Sequence, residues 1–259
     1  MRRAVITGGV SYHHALTGSP PVPPSAPDGG PAGAGLLAGF EPLDVHRLAS
    51  VDLADYDLVL VLRSVDNEAL WTRRHQVRRF LDQGGVLVAF GEAWTDWFPG
   101  CRWEPERPED LLPPVLAEHP LLAGVAPEEL HWHGKGPRWC NHGHFLPPPG
   151  AEPLVANRRG DAWLYLDRVT TNGVVLAATN LDLDTHTFHG SATARQLLER
   201  LLAWAETEAA RTPSAGSVAA ARSASWIVSL TFSVPLTMWA EFTMNTPGSE
   251  VARGGRFSE

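Results

Sequence analysis

The sequence predicts an α/β protein with a mainly parallel, doubly wound sheet, and three observations carry that prediction. Four short apolar runs have the composition of strands buried on both faces: "AVIT" (Ala4 to Thr7), "DLVLVL" (Asp57 to Leu62), "VLVAF" (Val86 to Phe90) and "GVVLAAT" (Gly173 to Thr179). Between and after them lie segments with helical spacing, each opened or closed by a recognisable cap. Alternation of this kind feeds right-handed crossovers, and ligands on such sheets bind beyond the carboxyl ends of the strands, where strand order reverses.

In chain order, the Ala4 to Thr7 strand ends at Gly8-Gly9, and "SPPVPPSAPDGGPAGAG" then forms a long loop with almost no side chain able to join a core. "LDVHRL" (Leu43 to Leu48) reads as a strand, followed by Asp57 to Leu62. One helix is expected over "SVDNEALWTRRHQVRRFLDQGG", capped by Ser64 or Asp66 and closed by Gly84-Gly85. The Pro-rich middle region, with "HPLLAGV" and "ELHWHGKGPRWCNHGHF", reads as an antiparallel excursion beside the main sheet. The last helix repeats Ala194, Leu197, Leu198, Leu201, Leu202 and Ala205 at helical spacing.

After Glu206 the composition changes, so residues 1–206 form the expected domain and residues 207–259 an appendage, with 207–225 expected to be disordered. Val228 to Met238 alternates apolar and hydroxyl-bearing residues like a lone strand, whose free edge would favour self-association into a homo-oligomer. Ser223 to Ala240 carries no charge, yet its hydroxyls, its short length and Pro235 argue against a membrane helix.

Composition narrows the function classes. With 259 residues, 44% of them hydrophobic, the chain is long enough for one sizeable core with a segment left over. A formal net charge of −8 disfavours a nucleic-acid partner, because neutralising phosphates takes clustered Lys and Arg; the stretches Arg73 to Arg79 and Arg158-Arg159 read as solvated faces. Cys101 and Cys140 lack Cys-x-x-Cys spacing and no secretion signal is visible, which points to a cytoplasmic protein with reduced thiols and no membrane span.

Three loops leave the carboxyl ends of the strands and should converge: "GGVSYHH", "GEAWTDW" and "NLDLDTHTFHG". If the last strand stays extended, Asp182, Asp184 and His186 alternate onto one face, where an acid can orient an imidazole. His189 lies near the start of the terminal helix, whose dipole favours a neutral ring able to act as a base. The competing structural reading has Asp184 or Ser191 capping that helix and both histidines packing on neighbouring loops. Of His13 and His14, which point apart, one should enter the site. Glu92 follows a tight Gly91 turn, with Trp94 and Trp97 close behind it; indoles beside a carboxylate suit a sugar, although core packing explains them equally. His131, His133, Cys140, His142 and His144 offer zinc-type ligands, but their spacing matches no strong zinc signature and aromatic loop packing competes.

Taken in order, "VITGGVSYHH", "YDLVLVL", "FLDQGGVLVAFGEAW", "EHPLLAGV" with "PEELHWHG", and "GVVLAATNLDLDTHTFHG" before a terminal helix resemble the trehalose-utilisation (ThuA-like) family of the class I glutamine amidotransferase-like superfamily. The resemblance runs over residues 3 to 206; its motifs are loose and their order is the specific part. It implies a flavodoxin-like three-layer sandwich and a role in disaccharide breakdown, including routes through keto-sugars. True glutamine amidotransferases carry a nucleophilic Cys after the strand equivalent to Val86 to Phe90 and a late His followed by Pro-Glu. Here those places read "FGEAW" and "THTFHG", so thiol-dependent glutamine hydrolysis is not expected. The family's histidine after the first strand matches His13 or His14, and its late glycine-histidine region matches His186 and His189 approximately.

The expected function is an enzyme acting on a small carbohydrate, a disaccharide or keto-sugar, with no cofactor and no metal. His14 and His186 or His189 are its acid-base groups, Asp184 orients a histidine and Glu92 holds hydroxyls, with Tyr12, His13, Trp94, Trp97 and Asp182 binding substrate. Two other classes stay open: a catalytically silent domain that binds a sugar or a protein, and a metal-dependent hydrolase using the His131 to His144 cluster.

Overall fold

The computed structural model describes residues 1–18, 34–130, 142–179 and 181–211. Residues 19–33 of the Pro/Gly loop, His131, His133 and Cys140, and the alternating segment Val228 to Met238 lie outside the described residues.

The chain forms one mixed sheet with strands β1 (Arg3–Thr7), β2 (Glu41–Asp44), β3 (Leu58–Val61), β4 (Val86–Phe90), β5 (Trp103–Pro105), β6 (Val115–Leu116), β7 (Gly143–Phe145), β8 (Glu152–Ala156), β9 (Ala162–Asp167) and β10 (Val174–Ala178). Their order is β2-β1-β3-β4-β10-β9-β7-β5, with β8 also paired to β9 and β6 to β8. Strands β2, β1, β3, β4 and β10 run parallel. The pairs from β10 outward through β9, β7, β5, β8 and β6 are antiparallel. The expected parallel sheet therefore describes one half of the architecture, and the antiparallel excursion is the other half of the same sheet. The link between β8 and β9, Asn157 to Asp161, is a tight turn, too short to carry a crossover helix.

Helices cover both faces of the parallel half. Val5, Leu60, Val88 and Leu176 point to the face packed by Leu16 of α1 (Ser11–Thr17), Leu183 of α4 (Leu183–Phe188) and Leu198 of α5 (Ala192–Arg211). Their neighbours Ile6, Val59, Leu87 and Val175 point the other way, onto Val77, Phe80 and Leu81 of α3 (Arg74–Asp82). Alternation along each buried strand is what lets a uniformly apolar sequence feed two cores.

Local chemistry sets the boundaries. The run Leu43 to Leu48 is not one strand: the Asp44 carboxylate accepts the His46 N–H at 2.9 Å and caps a 3-10 turn over Val45–Ser50. The helix after β3 divides into α2 (Asn67–Thr72) and α3 at Arg73. Asp66 caps α2 by accepting the N–H groups of Glu68 and Ala69, worth about 1 kcal/mol. The Thr72 hydroxyl donates back to the Glu68 carbonyl at 2.9 Å, a bond that competes with the helix ladder where the break occurs. Ser191 opens α5, its hydroxyl accepting the Ala194 N–H at 3.2 Å. Helix α5 then crosses the boundary expected at Glu206: Glu208 is buried and ion-paired with Arg168 at 2.6 Å, and Ala209 joins the core.

Strand β1 lies between β2 and β3, so the connections from it diverge, and the crevice this opens is at the carboxyl ends of β1 and β3. Among the described residues no helix is long and apolar enough to cross a membrane.

Candidate functional site

The crevice is organised by Arg63, the first charged residue after the apolar run that forms β3. Its guanidinium makes a two-pronged contact with Glu92, 2.7 Å from Nη2 to Oε1 and 3.3 Å from Nε to Oε2, and pairs with Asp182 at 3.1 Å. Its backbone N–H donates to the Asp184 carboxylate at 2.8 Å. Its carbonyl accepts from the Tyr12 hydroxyl and from His13 Nε2 at 2.8 Å. Residues from the ends of β1, β3, β4 and β10 thus meet on one arginine.

Close backbone approach makes this possible. Gly91 has φ +93°, and a Cβ there would stand 2.7 Å from Arg63 Cγ. At Gly8 a Cβ would stand 2.9 Å from the Ser64 carbonyl oxygen. Among the described residues only two other than glycine hold positive φ, Ser64 at 65° and Asp182 at 40°, and they flank Arg63 in space. Left-handed backbone at side-chain-bearing residues costs on the order of 1 kcal/mol each, and such strain gathers where geometry serves a ligand.

Histidine 13 is a structural tie. Its Nδ1 accepts the Gly8 N–H at 3.0 Å, which fixes the proton on Nε2, where it donates to Arg63. Burial pushes this imidazole down to about 4, so it stays neutral. Tyr12 keeps its proton because burial and the Asp184 charge both raise it. Both lie on helix α1, where a loop was expected. Asp184 does not orient a histidine: its two oxygens take the backbone N–H groups of Arg63 and, at 2.9 Å, Thr185. The segment after β10 turns into α4 instead of staying extended, because Asp182 adopts the left-handed conformation and breaks the alternation.

The carboxylates differ in state. Burial works to raise Glu92, but the Arg63 hydrogen bond and charge outweigh it and hold the carboxyl below its usual range. Asp182 goes the other way: its side chain is 1% exposed, burial dominates over Arg63, and Asp184 and Glu92 repel its charge, pushing it up to about 7. Neither Asp182 oxygen has a hydrogen-bond partner among the described residues. His142, placed by sequence in a zinc-type cluster, belongs here; its ring nitrogens lie 3.7 Å from Glu92 and 3.9 Å from Asp182.

Glu92 and Arg63 form one wall of a cleft of about 590 Å³, completed by Gly8, His46, Ser64, Asn67 and Trp94. Trp94 is 66% exposed and stands edge-on to Trp103, whose Nε1 donates to Thr179 at 3.2 Å. Trp97 is 2% exposed and packs on Phe98 in the core, away from a substrate. His14, His186 and His189 are not among the cleft walls. His189 is exposed at the end of α4 against the ring of Phe188, which in turn contacts Tyr12, so the first and last loops share one end of the sheet. His144, two residues after His142, is separated from it and buried against Asp110 at 2.7 Å. Among the described residues no group of three or more His, Cys, Asp and Glu side chains is arranged to hold a metal ion.

Neither a family model nor a curated protein matches the chain. Among solved structures, the Salmonella typhimurium LT2 cytoplasmic protein STM1381 aligns at 13% identity and a TM-score of 0.37, over 54% of this chain and 69% of that one. The Salmonella typhimurium cytoplasmic protein STM3548 aligns at 12% and 0.37, over 64% and 80%. The exo-β-1,4-mannosidase Op5Man5 from Opitutaceae bacterium strain TAV5 aligns at 10% and 0.36, over 68% of this chain and 28% of its own length. Likenesses this loose say nothing about activity.

Arg63 and His142 are the members that sequence reasoning missed. The signal for Arg63 is charge balance: three carboxylates on two converging loops need a cation, and Arg63 leaves the neighbouring strand at the same edge.

Proposed function

We propose that the chain is a ThuA-like, carbohydrate-active enzyme with the flavodoxin-like sandwich of the class I glutamine amidotransferase-like superfamily, acting on a disaccharide or keto-sugar without amidotransferase chemistry. The observation that carries this reading is Asp182: a nearly buried carboxylic acid in a strained conformation, poised to exchange a proton near neutral pH, at the switch point of the sheet. His142 is its half-exposed titratable neighbour and would pass the proton between Asp182 and the ligand. Arg63 would stabilise negative charge developing on a substrate oxygen, as a keto-sugar carbonyl acquires when a proton leaves the adjacent carbon. Glu92, held in place by Arg63, would accept hydroxyls, and the exposed Trp94 indole would stack on the C–H face of a sugar ring. These assignments move the acid-base role from His14, His186 and His189 to His142 and Asp182.

A second reading, a binding domain without turnover, draws support from Arg63 itself, since it already occupies Glu92 and ties down Asp184. A panel of disaccharides and their keto forms, offered to wild type, His142→Gln and Asp182→Asn, separates the two. Turnover lost in both variants with retained ligand-induced thermal shift supports the enzyme. Thermal shift without turnover in wild type supports the binding domain, and neither response to any sugar ends the carbohydrate reading.

A further inference from the structure

We infer that the buried Asp110–His144 pair is a positioning device that holds His142 beside Glu92 and Asp182; the inference rests on the reading of His142 as a proton carrier. His142 has little secondary structure of its own to hold it. It precedes β7, a three-residue strand paired to β9 only through Phe145 and Ala162. On the other side β7 pairs with β5, and the ladder reaches His142 through its carbonyl, which accepts the Glu106 N–H at 3.3 Å. Strands this short specify register weakly, so a side-chain anchor has to do it.

The anchor is Asp110, in the 3-10 turn Pro108–Leu111. Its carboxylate accepts the Arg107 N–H at 2.9 Å, His144 Nδ1 at 2.7 Å, Asn157 Nδ2 at 2.8 Å and Trp163 Nε1 at 3.3 Å. Asp110 and His144 are both fully buried, and the donors come from β7, from the β8–β9 turn and from β9, so one carboxylate sets the mutual position of these elements. The charged groups around His144 are Asp110 and, 3.9 Å from Nε2, Asp161, which also faces Arg107 and Arg159. Between the two histidines stands Gly143, where a Cβ would lie 2.2 Å from the Glu104 carbonyl and 2.3 Å from the Trp103 ring. The backbone at Gly143 therefore packs directly against β5, which couples the position of His142 to that of His144.

The test follows the His142 ring by NMR in protein with isotope-labelled histidine, the signal assigned by its loss in His142→Gln. His144→Leu removes the anchor's donor; His144→Asn keeps an N–H near the Nδ1 position; Trp163→Phe removes a weaker donor and keeps the ring packed. We expect the His142 signal to move toward that of an exposed, free imidazole and to broaden in His144→Leu, to move less in Trp163→Phe, and to return most of the way in His144→Asn. If His144→Leu does not fold, the order wild type, His144→Asn, Trp163→Phe carries the same test. A His142 signal unchanged in every folded variant overturns the inference. A wild type that turns over no sugar, while the variants still displace His142, defeats the functional reading and leaves the positioning intact.

Discussion

Arg63 and Asp110 are each the hub of a buried polar cluster, and the two hubs are built in opposite ways. Among the described residues Asp110 takes donors from Arg107, His144, Asn157 and Trp163 on its two oxygens and has no exposure to solvent. Arg63 gathers three carboxylates, borders a cleft of about 590 Å³, is flanked by left-handed Ser64 and Asp182, and leaves the Asp182 oxygens without a hydrogen bond among the described residues. A saturated carboxylate such as Asp110 fixes shape, because every change removes a satisfied bond, and it does so although His144 Nε2 has no hydrogen-bond partner among the described residues. A cluster with surplus like charge and strain carries a cost to stability, and that cost is maintained only where the geometry serves a ligand.

The largest effect is expected at the saturated hub. Asp110→Ala removes the acceptor of three buried side-chain donors, His144, Asn157 and Trp163, and of the part-buried Arg107 N–H, and the expected loss is about 3 kcal/mol or more, a fall in Tm of roughly 6–12 °C for a domain of this size. A small loss would mean that the hub is not holding the antiparallel half together. Arg63→Met comes next, at about 2–3 kcal/mol near pH 8, since three carboxylates lose their cation. That loss should shrink at pH 5, because Asp182 and Asp184, already raised by burial, then take up protons; chemical denaturation at the two pH values measures it.

Asp182→Asn should have the opposite sign. The folded state holds the Asp182 proton up to about 7, whereas an unfolded aspartate releases it near 4, so wild-type stability falls as pH rises between those values and the penalty is complete above 7. The asparagine variant should therefore match wild type at about pH 4 and exceed it by at least about 1 kcal/mol at pH 8, while losing turnover. The smallest effect is expected at His14 and His189: neither lines the cleft, and alanine at either should change stability by less than about 0.5 kcal/mol and leave turnover within twofold.

The parallel half of the fold was legible because its strands are buried on both faces and so are apolar throughout, and because Asp66, Ser191 and the glycine turns mark the ends of its helices. The antiparallel half was legible only as an excursion. Strands as short as Val115–Leu116 and Gly143–Phe145 carry too few residues for a period to emerge. In the site, Glu92, Trp94 and Asp182 could be placed from the strand ends they follow. The histidines misled because residue type does not report direction: His13 and His14 are neighbours, yet one is tied between Gly8 and Arg63 and the other lies outside the cleft walls. His142 and His144 were expected to share a face, and the chain directs one to Glu92 and Asp182 and the other to Asp110. Asp182 escaped prediction as the acid because its state depends on burial and on a left-handed turn, neither of which is written in the residues nearest to it.

The most direct test of the Arg63 centre as a proton-handling site is the ¹³C titration of the Asp182 side-chain carboxyl in protein labelled at aspartate, the resonance assigned by its loss in Asp182→Asn. The geometry predicts a midpoint near 7, moving lower when a sugar ligand supplies hydroxyl donors to the two oxygens. A midpoint near 4, the ordinary aspartate value, would show that Arg63 simply neutralises its neighbours and that the centre has no poised acid.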